Sequence, residues 1–191
     1  MSQTQKPPNP LRRIVSLLRV GPIAVFLRFY DQWRRKLTGA PDFRLTRVRP
    51  FLHIGGQHYK KGWAKMQAEG ITGILNMREE HHNDALNEIC GDVHLHLATL
   101  DNMPVSMEYL HQAADFIHEQ KERGGIVYVH CGVGVGRAPS AAAAYLMKYE
   151  NMTAAEAIKT IRQTRPFVHL VGTQLLALEE FEQEVRNGAK A

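Results

Sequence analysis

Apolar residues recur along the chain with two different periods, and the periods separate strands from helices. Ile71–Met77 (ITGILNM) and Ile126–Val129 (IVYV) are short continuous apolar runs, the pattern of strands buried on both faces of a sheet. Val93–Leu100 (VHLHLATL) alternates and reads as a further strand. Arg44–Val48 and Phe51–Ile54 are shorter strand-like segments, broken by Pro50 and closed by Gly55-Gly56. Helical spacing takes over at Ser106–Lys121, where Leu110, Ala113, Ile117 and Gln120 fall in period and Gly124-Gly125 stops the run. Further helices are expected from about Tyr59 to Ala68, with Gly70 as C-cap, and over Ala138–Tyr149, Thr153–Gln163 and Thr173–Val185. Thr153 and Glu156 have the spacing of a capping box. Strands separated by helices, then a helical tail, predict an α/β fold with a central, largely parallel sheet flanked by helices.

The beginning of the chain has another character. Its longest apolar run, Val20–Leu27, lies between Arg19 and Arg28 and contains Gly21 and Pro22, too short for the roughly 20 residues of a membrane-spanning helix. No small-residue cleavage site follows it, so a secretory signal is not expected. From Pro22, the residues Ile23, Phe26, Phe29, Tyr30, Trp33 and Leu37 recur at helical spacing, with Arg28, Arg35 and Lys36 on the other side and Arg34 near the boundary. Turn chemistry in Thr38-Gly39-Ala40-Pro41-Asp42 ends this arm. The division expected is a basic amphipathic N-terminal arm, 1–41, and a folded domain, 42–188.

Composition sharpens that division. A chain of 191 residues, 44% hydrophobic and 23% charged, suits a single folded domain rather than a disordered or membrane-embedded chain. Two cysteines, Cys90 and Cys131, exclude a disulfide scaffold and point to a reducing compartment, the cytoplasm. The net charge of +5 is an average of unlike parts: residues 1–50 hold 11 Lys/Arg against 2 Asp/Glu, or +9, and residues 51–191 hold 13 against 17, or −4. Three roles for the arm follow. It packs its apolar face on the domain, it docks on an anionic membrane surface, or it is a mitochondrial-type targeting segment, Arg-rich and acid-free over residues 1–30. No nucleic-acid motif accompanies the charge, and a monomer is expected.

The chemistry concentrates in Val129-His130-Cys131-Gly132-Val133-Gly134-Val135-Gly136-Arg137. This segment joins a buried strand to a helix, and ligands of open α/β sheets bind at the carboxyl ends of strands. Its three glycines permit a tight loop whose backbone N–H groups converge on an anion, aided by the positive end of the following helix. The same donors stabilise a thiolate at Cys131. Arg137 supplies a planar fork matched to phosphate oxygens.

A His-Cys-x5-Arg loop between strand and helix resembles the signature of the cysteine-dependent protein-tyrosine-phosphatase superfamily, in its dual-specificity branch, from about Phe51 to Phe181. The resemblance implies a dual-specificity-phosphatase-like fold and a phosphocysteine mechanism without metal or cofactor. It assigns Cys131 as nucleophile and Arg137 to phosphate binding and transition-state stabilisation. Gly132, Val133, Gly134, Val135 and Gly136 become the phosphate cradle, and His130 orients the loop and tunes the thiolate. It also calls for a general acid about 30 residues earlier. Asp101, just past the alternating strand, is expected to fill that place; its rival Asp92 precedes the strand and belongs at the wrong end. The superfamily usually carries Ser or Thr after the arginine, where this chain has Ala138 and its nearest hydroxyl is Ser140. Slowed phosphoenzyme hydrolysis follows as an expectation, with a phosphate-binding pseudophosphatase as the alternative. Arg165 through His169 and Gln174 through Phe181 resemble the family's C-terminal segment that packs against the loop, and Cys90 is a candidate for a protective disulfide with Cys131.

The substrate class stays open between phosphoproteins and a phospholipid head group. Asn76-Met77-Arg78-Glu79-Glu80, the Asp101 loop and the last helix resemble the mitochondrial-type phosphatases that act on phosphatidylglycerophosphate. Against this, the loop has no Lys or Arg besides Arg137, and Glu79 and Glu80 would repel a multiply anionic ligand if they lined its mouth. Paired histidines (His81-His82, His94 and His96) are expected to be solvated or satisfied in the core rather than metal ligands.

Overall fold

The computed structural model describes residues 21–80 and 89–188. Five strands form one sheet: β1 (Arg47–Arg49), β2 (Leu52–Gly56), β3 (Ile71–Arg78), β4 (Val93–Thr99) and β5 (Ile126–Cys131). Their order is β1-β2-β5-β3-β4, with β1 antiparallel to β2 and the other pairs parallel. The largely parallel sheet expected from the apolar runs is therefore present. β5 lies between β2 and β3, with Cys131 opposite Gly56 and His130 opposite Gly55 and Asn76.

Alternation along β5 sends its residues to two different layers. Val127, Val129 and Cys131 face the main core, built with α3 (Met107–Glu122), α4 (Arg137–Glu150), α5 (Ala154–Thr164) and α6 (Gly172–Gly188). Tyr128 faces a smaller cluster with Ile74, Met66 and Ala40, covered by the short α2 (Trp63–Ala68) and the start of the domain. α4 is buried nearly all round, as its Ala141–Ala144 run permits, because small side chains let neighbouring elements approach closely. The capping box at Thr153 and Glu156 and the left-handed Gly70 (φ +88°) stand where the sequence puts them.

Two segments differ from their sequence patterns. The segment read as strand Arg44–Val48 starts as a 3-10 turn, Phe43–Leu45, because the Asp42 carboxylate accepts the Arg44 N–H at 3.1 Å and bends the chain. The helix expected from Tyr59 is a 3-10 turn at Lys60–Gly62 before α2 begins. Tyr59 N–H donates to the Gly39 carbonyl at 2.9 Å there, and a Cβ on Gly62 would lie 2.1 Å from Gly39 C.

α1 (Pro22–Thr38) forms as its periodicity predicts but is turned the other way round. Its buried side chains are Ala24, Asp31 and Arg35, while Ile23, Phe26, Phe29, Trp33 and Leu37 are exposed. The first of the three roles, an apolar face packed on the domain, is thereby overturned for the described part of the arm. An ion network explains the inversion. Asp31 Oδ2 accepts from Arg35 Nε at 3.2 Å and from Arg165 Nη2 at 2.9 Å, all three side chains being buried. Arg35 also donates to the Gln57 carbonyl at 2.7 Å. Asp31→Asn leaves two buried guanidinium groups without their counter-ion, which costs about 3–5 kcal/mol. Urea unfolding of the two proteins measures the loss, and a difference well under 1 kcal/mol would contradict this role for Asp31.

Candidate active site

The loop from Cys131 to Arg137 sits where β5 gives way to α4, at the carboxyl end of the sheet. Cys131 is buried at its base, and the Gly134 N–H donates to Sγ at 3.2 Å. Gly134 has φ +76°, and a Cβ there would come within 2.3 Å of Gly55 C, so both conformation and space require glycine. The first-turn N–H groups of α4, unpaired within the helix, lie beside the same loop.

Arg165 holds this loop from beneath. Its Nε donates to the Gly134 carbonyl at 2.7 Å and its Nη2 to the Val133 carbonyl at 2.8 Å. Carbonyls engaged from below leave the opposite side of the loop to its N–H groups. The buried trio Arg35, Asp31 and Arg165 carries one net positive charge under the loop, which favours an anion above it. His169 N–H donates to the Val135 carbonyl at 3.0 Å. Gln174 Nε2 donates to the Met103 carbonyl at 3.1 Å, and its side chain lies so close to Gly136 that a Cβ there would stand 2.9 Å from it. The segment that resembles the family's C-terminal part does pack on the loop.

Arg137 folds back into the site and is 2% exposed. Nη1 donates to the Thr99 carbonyl at 2.7 Å and to Glu80 Oε2 at 2.8 Å; Nη2 donates to Glu80 Oε1 at 2.9 Å and lies 3.2 Å from Asp101 Oδ1. Its buried Nε has no hydrogen-bond partner among the described residues. Asp101 follows β4 in a tight turn with Asn102 at φ +63°, and its side chain is 61% exposed. Asp92 lies at the other end of β4, its N–H donating to the Thr72 carbonyl at 3.0 Å. The structure thus brings Asp101, and not Asp92, to Arg137.

Glu80 is where the sequence reading falls short. It is clamped between Arg137 and Arg78, whose Nε donates to Oε1 at 3.0 Å, so it orients Arg137 and its charge is matched there. Hydrogen bonding from Arg137, against the opposing effect of burial, brings its carboxyl down to about 2 from 4.5. A depressed carboxyl stabilises the fold above its ordinary value, and that stabilisation is lost as pH falls through about 2. Glu80→Gln is therefore expected to melt below the parent at neutral pH, with the gap closing as pH falls below 4.5. Thermal melts across that range test this, and a gap independent of pH would contradict it.

His130 is buried on the opposite side of the sheet from Cys131, its ring 5.0 Å from His58 in an edge contact and 6.1 Å from Tyr128. Tyr128 OH in turn donates to the Gly56 carbonyl at 2.7 Å, so this cluster joins β5 to β2 directly below the loop. His96 Nε2 lies 2.7 Å from the Arg78 carbonyl, and His81-His82 lie outside the described residues. Among the described residues no group of three or more His, Cys, Asp or Glu could hold a metal ion. Ala138 is fully buried, and Ser140 Oγ turns back to the Gly136 carbonyl at 3.1 Å. Cys90 and Cys131 are unbridged and pack in different clusters.

Comparison with known proteins extends from this loop to the parallel strands around it. The family model for the dual specificity phosphatase catalytic domain matches residues 52–184. A phosphatidylglycerophosphate phosphatase of Arabidopsis thaliana, PTPMT1, is 32% identical over 174 residues, covering 87% of this chain and 51% of that protein. The chain thus spans about half the length of that relative. Human dual specificity protein phosphatase 26 is 33% identical over 173 residues, covering 87% of this chain and 81% of its own length. The crystal structure of PTPMT1 superposes with a TM-score of 0.69 at 27% identity, over 76% of this chain and 98% of the other. A match that takes in every parallel strand and the loop between β5 and α4 means that the chain belongs to the dual-specificity phosphatase family, as a cysteine-based phosphatase.

Proposed function

We propose that the chain hydrolyses phosphotyrosine and phosphoserine or phosphothreonine esters of proteins through a phosphocysteine on Cys131. The observation that carries the mechanism is the Gly134 N–H directed at Cys131 Sγ, at 3.2 Å, at the base of a loop closed by Arg137. Backbone N–H groups of Gly132–Gly136, together with the Arg137 guanidinium, hold the phosphoryl oxygens. The Cys131 thiolate attacks phosphorus, the ester P–O bond breaks, and Asp101 gives its proton to the departing oxygen. Water then attacks the phosphocysteine, its proton passes to the Asp101 carboxylate, and the S–P bond breaks to return thiolate and inorganic phosphate. His130 acts through the loop backbone, from below the sheet.

The loop suits a single phosphate group. Arg137 is its only basic side chain, and two of its three nitrogens are engaged by Glu80 and Asp101. A multiply phosphorylated ligand would find little further charge. A phospholipid head group is the second reading, carried by the Arabidopsis relative named a phosphatidylglycerophosphate phosphatase. A parallel kcat/KM panel decides between them, using phosphotyrosine and phosphothreonine peptides, phosphatidylglycerophosphate and a monophosphorylated inositol lipid. Peptides preferred by tenfold or more support the protein reading; a lipid preferred by as much overturns it.

Ala138 bears on the second step. A hydroxyl assisting the departing thiolate is a hydrogen bond to a charged group, about 1.5 kcal/mol or about tenfold in rate. Ala138→Ser is accordingly expected to speed phosphoenzyme hydrolysis about tenfold under single-turnover conditions. An equal or slower rate would contradict this.

A further inference from the structure

We infer that the outward face of α1 is a docking surface for an anionic lipid bilayer. Ile23, Phe26, Phe29, Trp33 and Leu37 are between 59% and 75% exposed, and they make up five of the nine large apolar side chains exposed among the described residues. At about 100° per residue they form one stripe along the helix. Arg34 and Lys36 fall on its two edges, and the inward face opposite carries Ala24, Asp31 and Arg35. A surface helix of a globular domain ordinarily buries such a stripe. Here the ion network with Arg165 commits the polar face inward and leaves the aromatic face in water.

Charge complementarity selects the occupant. Asp31 is buried and paired with the buried Arg35 and Arg165, Asp42 is paired with the exposed Arg44, and residues 1–50 hold no other acid to offset the remaining basic residues of the arm. Residues 1–20 add Lys6, Arg12, Arg13 and Arg19 and no acid, interleaved with Leu11, Ile14, Val15, Leu17 and Leu18. Aromatic and aliphatic side chains edged by cations suit the boundary between acyl chains and anionic head groups, with the helix lying in the surface. No helix among the described residues is long and apolar enough to cross the bilayer. The inward contacts give the docking a direction. Asp31 holds Arg165, Arg165 holds the Val133 and Gly134 carbonyls, and a helix seated on a bilayer sets the catalytic loop at a fixed orientation to it.

The test uses the full chain and vesicles of phosphatidylcholine, with and without phosphatidylglycerol. Co-sedimentation with the anionic vesicles is expected, weakening with added salt, together with a blue shift in tryptophan emission that Trp33→Phe abolishes. The double variant Phe26→Ser, Trp33→Ser is expected to lose at least tenfold in vesicle affinity. Its melting temperature and its rate on a soluble aryl phosphate should match the parent. Binding to neutral and anionic vesicles alike, full vesicle affinity in the double variant, or a parent dimer that the double variant dissociates would each overturn the inference, the last assigning the face to a second copy of the chain. None of these readouts depends on which phosphoester is cleaved.

Discussion

Cys131→Ser is expected to lose turnover by about 10⁴-fold or more on every substrate, with inorganic phosphate still bound in the site. The two effects separate because they rest on different atoms. In the proposed mechanism, affinity for the anion comes from the loop N–H groups and Arg137, none of which the substitution removes. Turnover needs a nucleophile, and a serine hydroxyl, far less acidic than a thiol, does not ionise to one at the base of the loop. Steady-state rates together with phosphate titration monitored by tryptophan emission measure both. Retention of more than a hundredth of the parent rate would place the nucleophile elsewhere.

Asp101→Asn is the second large effect, and it depends on the leaving group. Protonating an alkoxide as it departs contributes about 10²–10⁴-fold, so a phosphothreonine peptide is expected to lose about that much. An activated aryl phosphate leaves without a proton and is expected to lose little. Asp101 occupies an exposed turn, within 3.2 Å of Arg137 Nη2, so removing its charge disturbs little of the buried structure. An equal loss on both substrates would assign Asp101 to positioning Arg137 rather than to proton transfer.

Local chemistry was legible in the sequence, and long-range pairing was not. β5 and its loop announce themselves because strand, cysteine, glycines and arginine are consecutive from Ile126 to Arg137. The Thr153–Glu156 capping box is legible for the same reason. Glu80 meets Arg137 from 57 residues away, and no periodicity or motif encodes such a contact. The orientation of α1 shows a different limit. Its amphipathic spacing identifies two faces, but which one the domain takes depends on Arg165, 134 residues from Asp31. An acid four residues before an arginine in an otherwise Arg-rich helix, Asp31 with Arg35, is the available signal that the polar face has a buried partner. Asp42 shows the third case, a side chain-to-backbone hydrogen bond that turns a strand-like run into a turn.

The most direct measurement of the mechanism is a rapid-quench reaction with a radiolabelled phosphotyrosine peptide in excess over enzyme. A burst of released peptide is expected, equal to the enzyme present, with label held on the protein and mapped to the Cys131 peptide. Label on another residue, or label on the protein in the Cys131→Ser variant, would contradict a phosphocysteine at this site.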